Sequence, residues 1–184
     1  MIPADAGTVL VPLARKAIAD ELGPRQRRPA AVDGPDWLRE PGATFVTLTR
    51  GGRLRGCIGS LEAWRGVGED VASNARSAAF HDPRFPPLSA SELADLRVEV
   101  SLLSASEPIV FTDEADARAQ LRPGVDGVIL TARGHRGTFL PQVWDELPDP
   151  ADFLARLKRK AGLAASYWGP DVRLERYTVR KWGE

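Results

Sequence analysis

Cysteine is nearly absent from this chain: Cys57 is the only one in 184 residues. A single thiol cannot close an intrachain disulfide, so a disulfide-built secreted scaffold is excluded and a cytoplasmic location is expected. Histidine is almost as scarce, with two residues that do not form a pair at zinc spacing. Net charge is lacking too. Lys and Arg number 25 against 25 Asp and Glu, so the formal charge is +0 and no global field draws the protein to a polyanion or an anionic membrane. No apolar run approaches the roughly 20 residues needed to span a bilayer. The opening stretch "MIPADAGTVLVPLARKAIADEL" has neither the basic start nor the long apolar core of a leader. A phosphate-loop glycine pattern, a serine elbow and the three-cysteine cluster of a radical enzyme are also missing. No cofactor and no metal are therefore expected on this chain.

What is present suits one domain, or one domain with a lobe, rich in turns: 43% hydrophobic residues, 27% charged, 17 glycines and 15 prolines. Val9, Leu10, Leu13, Ala17 and Ile18 recur at helical spacing until Gly23-Pro24, and residues 24–41 read as a surface loop. The β-branched run 43–49, a turn at Arg50-Gly51-Gly52-Arg53 and the run 54–59 predict a hairpin. Apolar residues at Val71, Ala75, Ala78 and Ala79 predict a helix over 67–80, which Pro83 terminates. Ser89 caps a short helix over 90–94, and "LRVEVSLLS" alternates as a half-buried strand. A second hairpin follows over 127–140, then a helix from Pro141 to Leu147, another over 151–161, and one last strand in "VRLERYTVRKW". Strands arrive as hairpins without regular βαβ alternation, so the fold class is α+β: a mainly antiparallel sheet with flanking helices and a smaller second lobe.

Strict alternation along 54–59 puts Arg55 and Cys57 on one face, where a guanidinium favours a thiolate and the flanking glycines admit a ligand or another backbone. The same residues also suit a small buried cysteine in a tightly packed strand. Asp70, Asn74, Ser77 and His81 form a polar line along the 67–80 helix, and His81, at its end, is placed to serve a thiol as base. Asp82 and Arg84 pair to shape the following turn. Glu99 centres the polar face of its strand between Arg97 and Ser101; on a strand adjoining that of Cys57 it would complete a groove, and otherwise it makes cross-strand charge pairs. Lys160, on the edge of the stripe set by Phe153, Leu157 and Ala161, either reaches inward or snorkels, and Gln142 either offers its amide to a pocket or caps its own turn. Nucleic-acid binding would rest on Arg25, Arg27, Arg28 and the cluster at 158–160, against a balanced total charge, and is not expected.

"FVTLTRGGRLRGCIGSLEA", "ARSAAFHDPRFPPLS", "LADLRVEVSLLSASEPI", "GTFLPQVWDELPDPADFLARLKRKAGL" and "WGPDVRLERYTV" follow one another in an order that resembles the AMMECR family, from about Thr8 to the C-terminus. Bacterial and archaeal members of that family are called protein A of the AmmeMemoRadiSam system. The resemblance implies one AMMECR domain over 8–184, with a larger antiparallel-sheet lobe and a smaller one. It also implies a groove lined by Arg55, Cys57, His81, Arg84, Glu99, Gln142 and Lys160. Partners implied in the same way are a Memo-like protein and a radical S-adenosylmethionine protein. Many relatives carry a second cysteine just before the "KAGL" turn, where this chain has Lys158 and Arg159, which argues against a two-thiol redox mechanism.

Two functional expectations follow. In the first, Cys57 is a nucleophile with His81 as base and Glu99 orienting, while Arg55, Arg84, Gln142 and Lys160 hold a small anionic or carbonyl-bearing substrate for group transfer or hydrolysis. In the second, the same groove binds a ligand or a partner protein without chemistry.

Overall fold

The computed structural model describes residues 1–23 and 33–184, so the basic run Arg25 to Arg28 lies outside the described residues. Two compact units divide the chain, Met1–Leu103 with Arg180–Glu184, and Ser104–Val179. Among the described residues no helix is long and apolar enough to cross a membrane.

In the first unit, strands β1 (Ala43–Arg50), β2 (Arg53–Gly59), β3 (Leu96–Leu103) and β8 (Val179–Gly183) form a sheet in the order β2-β1-β3-β8. β1 runs antiparallel to both β2 and β3. Its alternation sends Val46 and Leu48 to one side, where Val98 and Val100 of β3 join them in the core. Helices α1 (Gly7–Leu22) and α2 (Val67–Phe80) bring Leu10, Ala14, Ile18, Val71, Ala75 and Ala78 to that same core. The β1–β2 turn is Gly51-Gly52, with φ of 55° and 74°, a left-handed pair that side-chain-bearing residues adopt at a cost.

The polar line on α2 does not run along a wet face. Asp70 and Asn74 turn inward and are buried. Asp70 accepts from Thr44 N–H (2.8 Å), Thr44 Oγ1 (2.7 Å), Ser60 Oγ (2.8 Å), Arg65 Nε (2.7 Å) and Asn74 Nδ2 (3.0 Å). A buried carboxylate is tolerable only when its lone pairs are filled this way. The network bolts α2 to the start of β1.

The second unit holds a sheet of β4 (Glu107–Ile109), β5 (Gly127–Ala132), β6 (His135–Phe139) and β7 (Arg173–Tyr177), in the antiparallel order β4-β7-β5-β6. Helices α3 (Glu114–Gln120) and α4 (Pro150–Lys160) complete it. Trp144 stacks on Phe153 at 3.7 Å between centroids, and Phe139 meets the same ring edge-on. Asp149 caps α4, Pro150 takes its first position, and Gly162 closes it with φ of 86°. The expected helix after Pro141 is a single 3-10 turn, Pro141–Asp145.

The class is α+β, as the hairpin pattern implied. One expectation needs correcting: "VRLERYTVRKW" is two strands, since β7 belongs to the second sheet and β8 to the first, with Thr178 between them.

Candidate functional site

β2 is the edge of its sheet, and Cys57 sits on that edge one residue past the strand's midpoint at Gly56. It lies opposite Thr47 on β1, which in turn lies opposite Glu99 on β3. Side chains directly opposite one another share a face, so Cys57, Thr47 and Glu99 form one row on the side away from α1 and α2. Cys57 is partly exposed on that side, and Thr47 Oγ1 stands 3.4 Å from Sγ. Glu99 is not on the strand adjoining Cys57, as the groove expectation required. β1 intervenes, which separates the two residues by two strand spacings, roughly 10 Å. Glu99 instead pairs with Lys181 at 3.6 Å, the cross-strand charge pairing that was the other reading.

Along an antiparallel edge strand every second residue points its N–H and C=O away from the sheet, and these need partners. For Cys57 the turn after α2 supplies both. Asp82 Oδ2 accepts from Cys57 N–H at 2.9 Å, and Arg84 Nη2 donates to Cys57 C=O at 3.2 Å. Asp82 and Arg84 are themselves a two-point pair, with Nε to Oδ1 at 3.0 Å and Nη2 to Oδ2 at 2.7 Å. Hydrogen bonds from Arg84, then from Cys57 N–H, hold the Asp82 carboxyl well below the usual range against the opposing effect of burial. Arg84 is shifted upward, chiefly by its hydrogen bonds to Asp82. His81 caps the C-terminus of α2, one residue before this clamp. Among the described residues its imidazole has no hydrogen bond or ion pair, and its side chain is exposed.

Arg55 departs from the strict alternation that placed it beside Cys57. The β1–β2 register pairs Leu48 with Gly56 but Thr49 with Leu54, so Arg55 is the extra residue of a bulge. Its guanidinium grips Glu92, Nε to Oε1 at 2.8 Å and Nη2 to Oε2 at 3.2 Å, and donates to Pro86 C=O at 3.0 Å. Phe85 lies between the two cations, its centroid 5.9 Å from the Arg55 guanidinium carbon and 5.6 Å from that of Arg84. Glu92 also closes a capping box with Ser89. Arg55 first, and Ser89 N–H second, pull the Glu92 pKa down to about 2.

That shift sets a stability window. Because the folded-state value lies below the ordinary one of 4.5, the Glu92 contribution is full above pH 4.5 and is lost as pH falls toward about 2. Urea midpoints measured from pH 5 to 2 should fall less steeply in Glu92→Gln than in the wild type; parallel curves would refute this.

Gln142 and Lys160 belong to the second unit. Gln142 is exposed on the Pro141–Asp145 turn. Lys160 snorkels: Nζ donates to Thr138 C=O at 2.9 Å and lies 5.0 Å from the Phe139 ring centre, and desolvation lowers its pKa. The buried lysine of α4 is Lys158, 1% exposed, which donates to Glu114 Oε1 at 2.7 Å and Ala165 C=O at 3.1 Å. Among the described residues no group of three or more His, Cys, Asp or Glu side chains is arranged to hold a metal ion.

Sequence reading thus missed Thr47, Asp82 as the partner of Cys57, and Glu92 as the partner of Arg55. For Glu92 a signal existed, the Ser89-x-x-Glu92 spacing of a capping box.

The AMMECR1 family model matches residues 11–182. A protein from Methanothermobacter thermautotrophicus is 39% identical over 178 residues, covering 96% of this chain and 93% of the relative. One from Thermofilum pendens is 37% identical over 178 residues, covering 91% and 84%. The crystal structure of the uncharacterized protein PH0010 from Pyrococcus horikoshii superposes with a TM-score of 0.87 at 34% identity, covering all of this chain and 93% of that one. On sequence and fold together, the chain belongs to the AMMECR1 family.

Proposed function

We propose that Cys57 is the reactive group of a site that takes a small anionic or carbonyl-bearing molecule for group transfer or hydrolysis. One observation carries this reading: both backbone polar groups of Cys57 are gripped from the free edge of β2, by Asp82 and Arg84. The grip fixes the chain's lone thiol on a partly exposed face, beside the Thr47 hydroxyl and on a residue whose own carbonyl carries the Arg84 guanidinium. Thiols that merely fill a core need none of this, whereas a nucleophile gains from fixed orientation and a nearby cation. His81 would take the thiol proton as the sulfur bonds to the electrophilic carbon, and the bond to the leaving group would break with that proton passed on to it. Water or an acceptor would then release the acyl group and restore the thiol. Glu99, two strands away and paired with Lys181, has no contact role in this scheme.

4-Nitrophenyl acetate is a suitable carbonyl probe, because the chain has only one thiol to acylate. A burst of nitrophenol and one acetyl adduct on Cys57 are expected in the wild type, with both lost in Cys57→Ser. No adduct, or an equal burst from Cys57→Ser, would sink the proposal.

The second reading is a noncatalytic module that docks the Memo-like and radical S-adenosylmethionine proteins implied by the family. Support comes from the unengaged His81 and from an Arg84 spent on a strand edge. Co-purification unaffected by Cys57→Ser and weakened by Arg84→Ala would favour it.

A further inference from the structure

Asp82 is 3% exposed overall, and its carboxylate is satisfied entirely by groups of the Cys57 neighbourhood. Capping a strand edge does not require a carboxylate, since water or a hydroxyl can take one N–H, and burying a charge is costly unless it is paired. The geometry shows what the charge adds. Oδ1 receives Arg84 N–H at 3.1 Å and Nε at 3.0 Å, while Oδ2 receives Nη2 at 2.7 Å and Cys57 N–H at 2.9 Å. One side of the guanidinium is locked to Asp82, and the nitrogen at its corner also reaches Cys57 C=O. The third nitrogen, Nη1, has no hydrogen bond among the described residues, and the Arg84 side chain is 53% exposed. Phe85 packs within 5.6 Å of the guanidinium carbon. A free, cationic N–H pair is thus held beside the strand that carries the thiol.

We propose that Asp82 is a positioning residue of the Cys57 site, holding Arg84 so that the thiol receives electrophiles that carry a negative charge. This rests on the reading of Cys57 as the reactive group, and it narrows the substrate class to anionic electrophiles. Asp82 touches no reacting atom. Its effect passes through Arg84.

The test compares alkylation of Cys57 by iodoacetate, which is anionic, and iodoacetamide, which is neutral. In each case the thiolate displaces iodide to form one carbon–sulfur bond. The readout is the ratio of the two rates against pH, with the urea-unfolded chain as reference. The folded wild type should have a higher ratio than the unfolded chain. Asp82→Asn should lower it by about threefold or more, because the freed guanidinium is no longer fixed beside Cys57. The sign is diagnostic. If Asp82 acted only as a nearby negative charge, removing it would raise the ratio, and if it acted only as scaffold, both rates would change together; either result overturns the inference. Arg84→Gln should give the same fall, and the double variant no further fall. Should Asp82→Asn fail to fold, Asp82→Glu keeps the charge while displacing the fork, and an unchanged ratio there refutes the role equally. Folded wild-type rates no different from the unfolded chain for either reagent would defeat the reading of Cys57 itself. A high wild-type ratio untouched by Asp82→Asn would defeat only the part given to Asp82.

Discussion

Asp70→Ala is expected to destabilise the first unit by about 3–5 kcal/mol, the range for removing one partner of a buried ion pair. The cause is what the substitution leaves behind. Arg65 Nε, the Thr44 N–H and hydroxyl, Ser60 Oγ and Asn74 Nδ2 all donate to Asp70. Asn74 and the Thr44 hydroxyl retain other partners, since Nδ2 also reaches Thr44 C=O at 2.9 Å and Thr44 Oγ1 at 3.2 Å. The Thr44 amide loses its Asp70 acceptor, and the Arg65 guanidinium keeps only a long contact, Nη2 to Asn74 Oδ1 at 3.5 Å. The amide is buried beneath α2, and the Arg65 side chain is 13% exposed. For a chain of this size the loss corresponds to a fall in melting temperature of roughly 10 °C. Asp70→Asn should cost less, because its amide oxygen can still accept from Thr44 N–H. A chemical-denaturation series in which Asp70→Ala loses under about 1 kcal/mol would show that water fills the gap and that the network is not what joins α2 to β1.

That network also marks where sequence reasoning stops. The residues of α2 were legible, because Val71, Ala75 and Ala78 keep helical spacing and Pro83 ends the run; the helix spans Val67–Phe80 as the pattern implied. The inward turn of Asp70 and Asn74 was not, since i, i+4 polar spacing is the same whether a face meets water or a sheet's buried threonine. The helix α3 was missed for a related reason: "EADARAQ" buries only Ala117, so it has no apolar period to read. Alternation continues across Thr178 without a break, so nothing local marks the point where the chain leaves one sheet for the other. At the site, Cys57, Arg84 and the Asp82–Arg84 pair were visible as residues. Their relation was not visible, because it depends on β2 being an edge strand and on β1 lying between Cys57 and Glu99. Strand order is a long-range fact. The bulge at Arg55 is another, arising from pairing with β1 and breaking a period that the sequence alone suggests is regular.

Gly56→Ala is the second substitution expected to have a large effect, and it tests whether the position of α2 fixes Cys57. Gly56 lies on the helix side of β2, where a Cβ would fall 2.1 Å from the backbone oxygen of Ala78 and 3.0 Å from its carbonyl carbon. No rotamer relieves that contact, because the obstacle is main chain. Either β2 or the last turn of α2 must move, and overpacking of this kind costs about 1–3 kcal/mol or more. The last turn of α2 runs directly into His81 and Asp82, so a shift there carries the Asp82 carboxylate away from the Cys57 N–H. Both consequences are measurable in one protein. The urea midpoint should fall, and the iodoacetate-to-iodoacetamide ratio of Cys57 should fall with it, under conditions where circular dichroism still reports a folded chain. Cys57 sits one residue away on the opposite face, so a reduced midpoint with an unchanged ratio would mean that the clamp follows β2 as a rigid piece. A ratio lost while most of the stability remains would mean that the close approach of α2 to glycine is what sets the thiol in place.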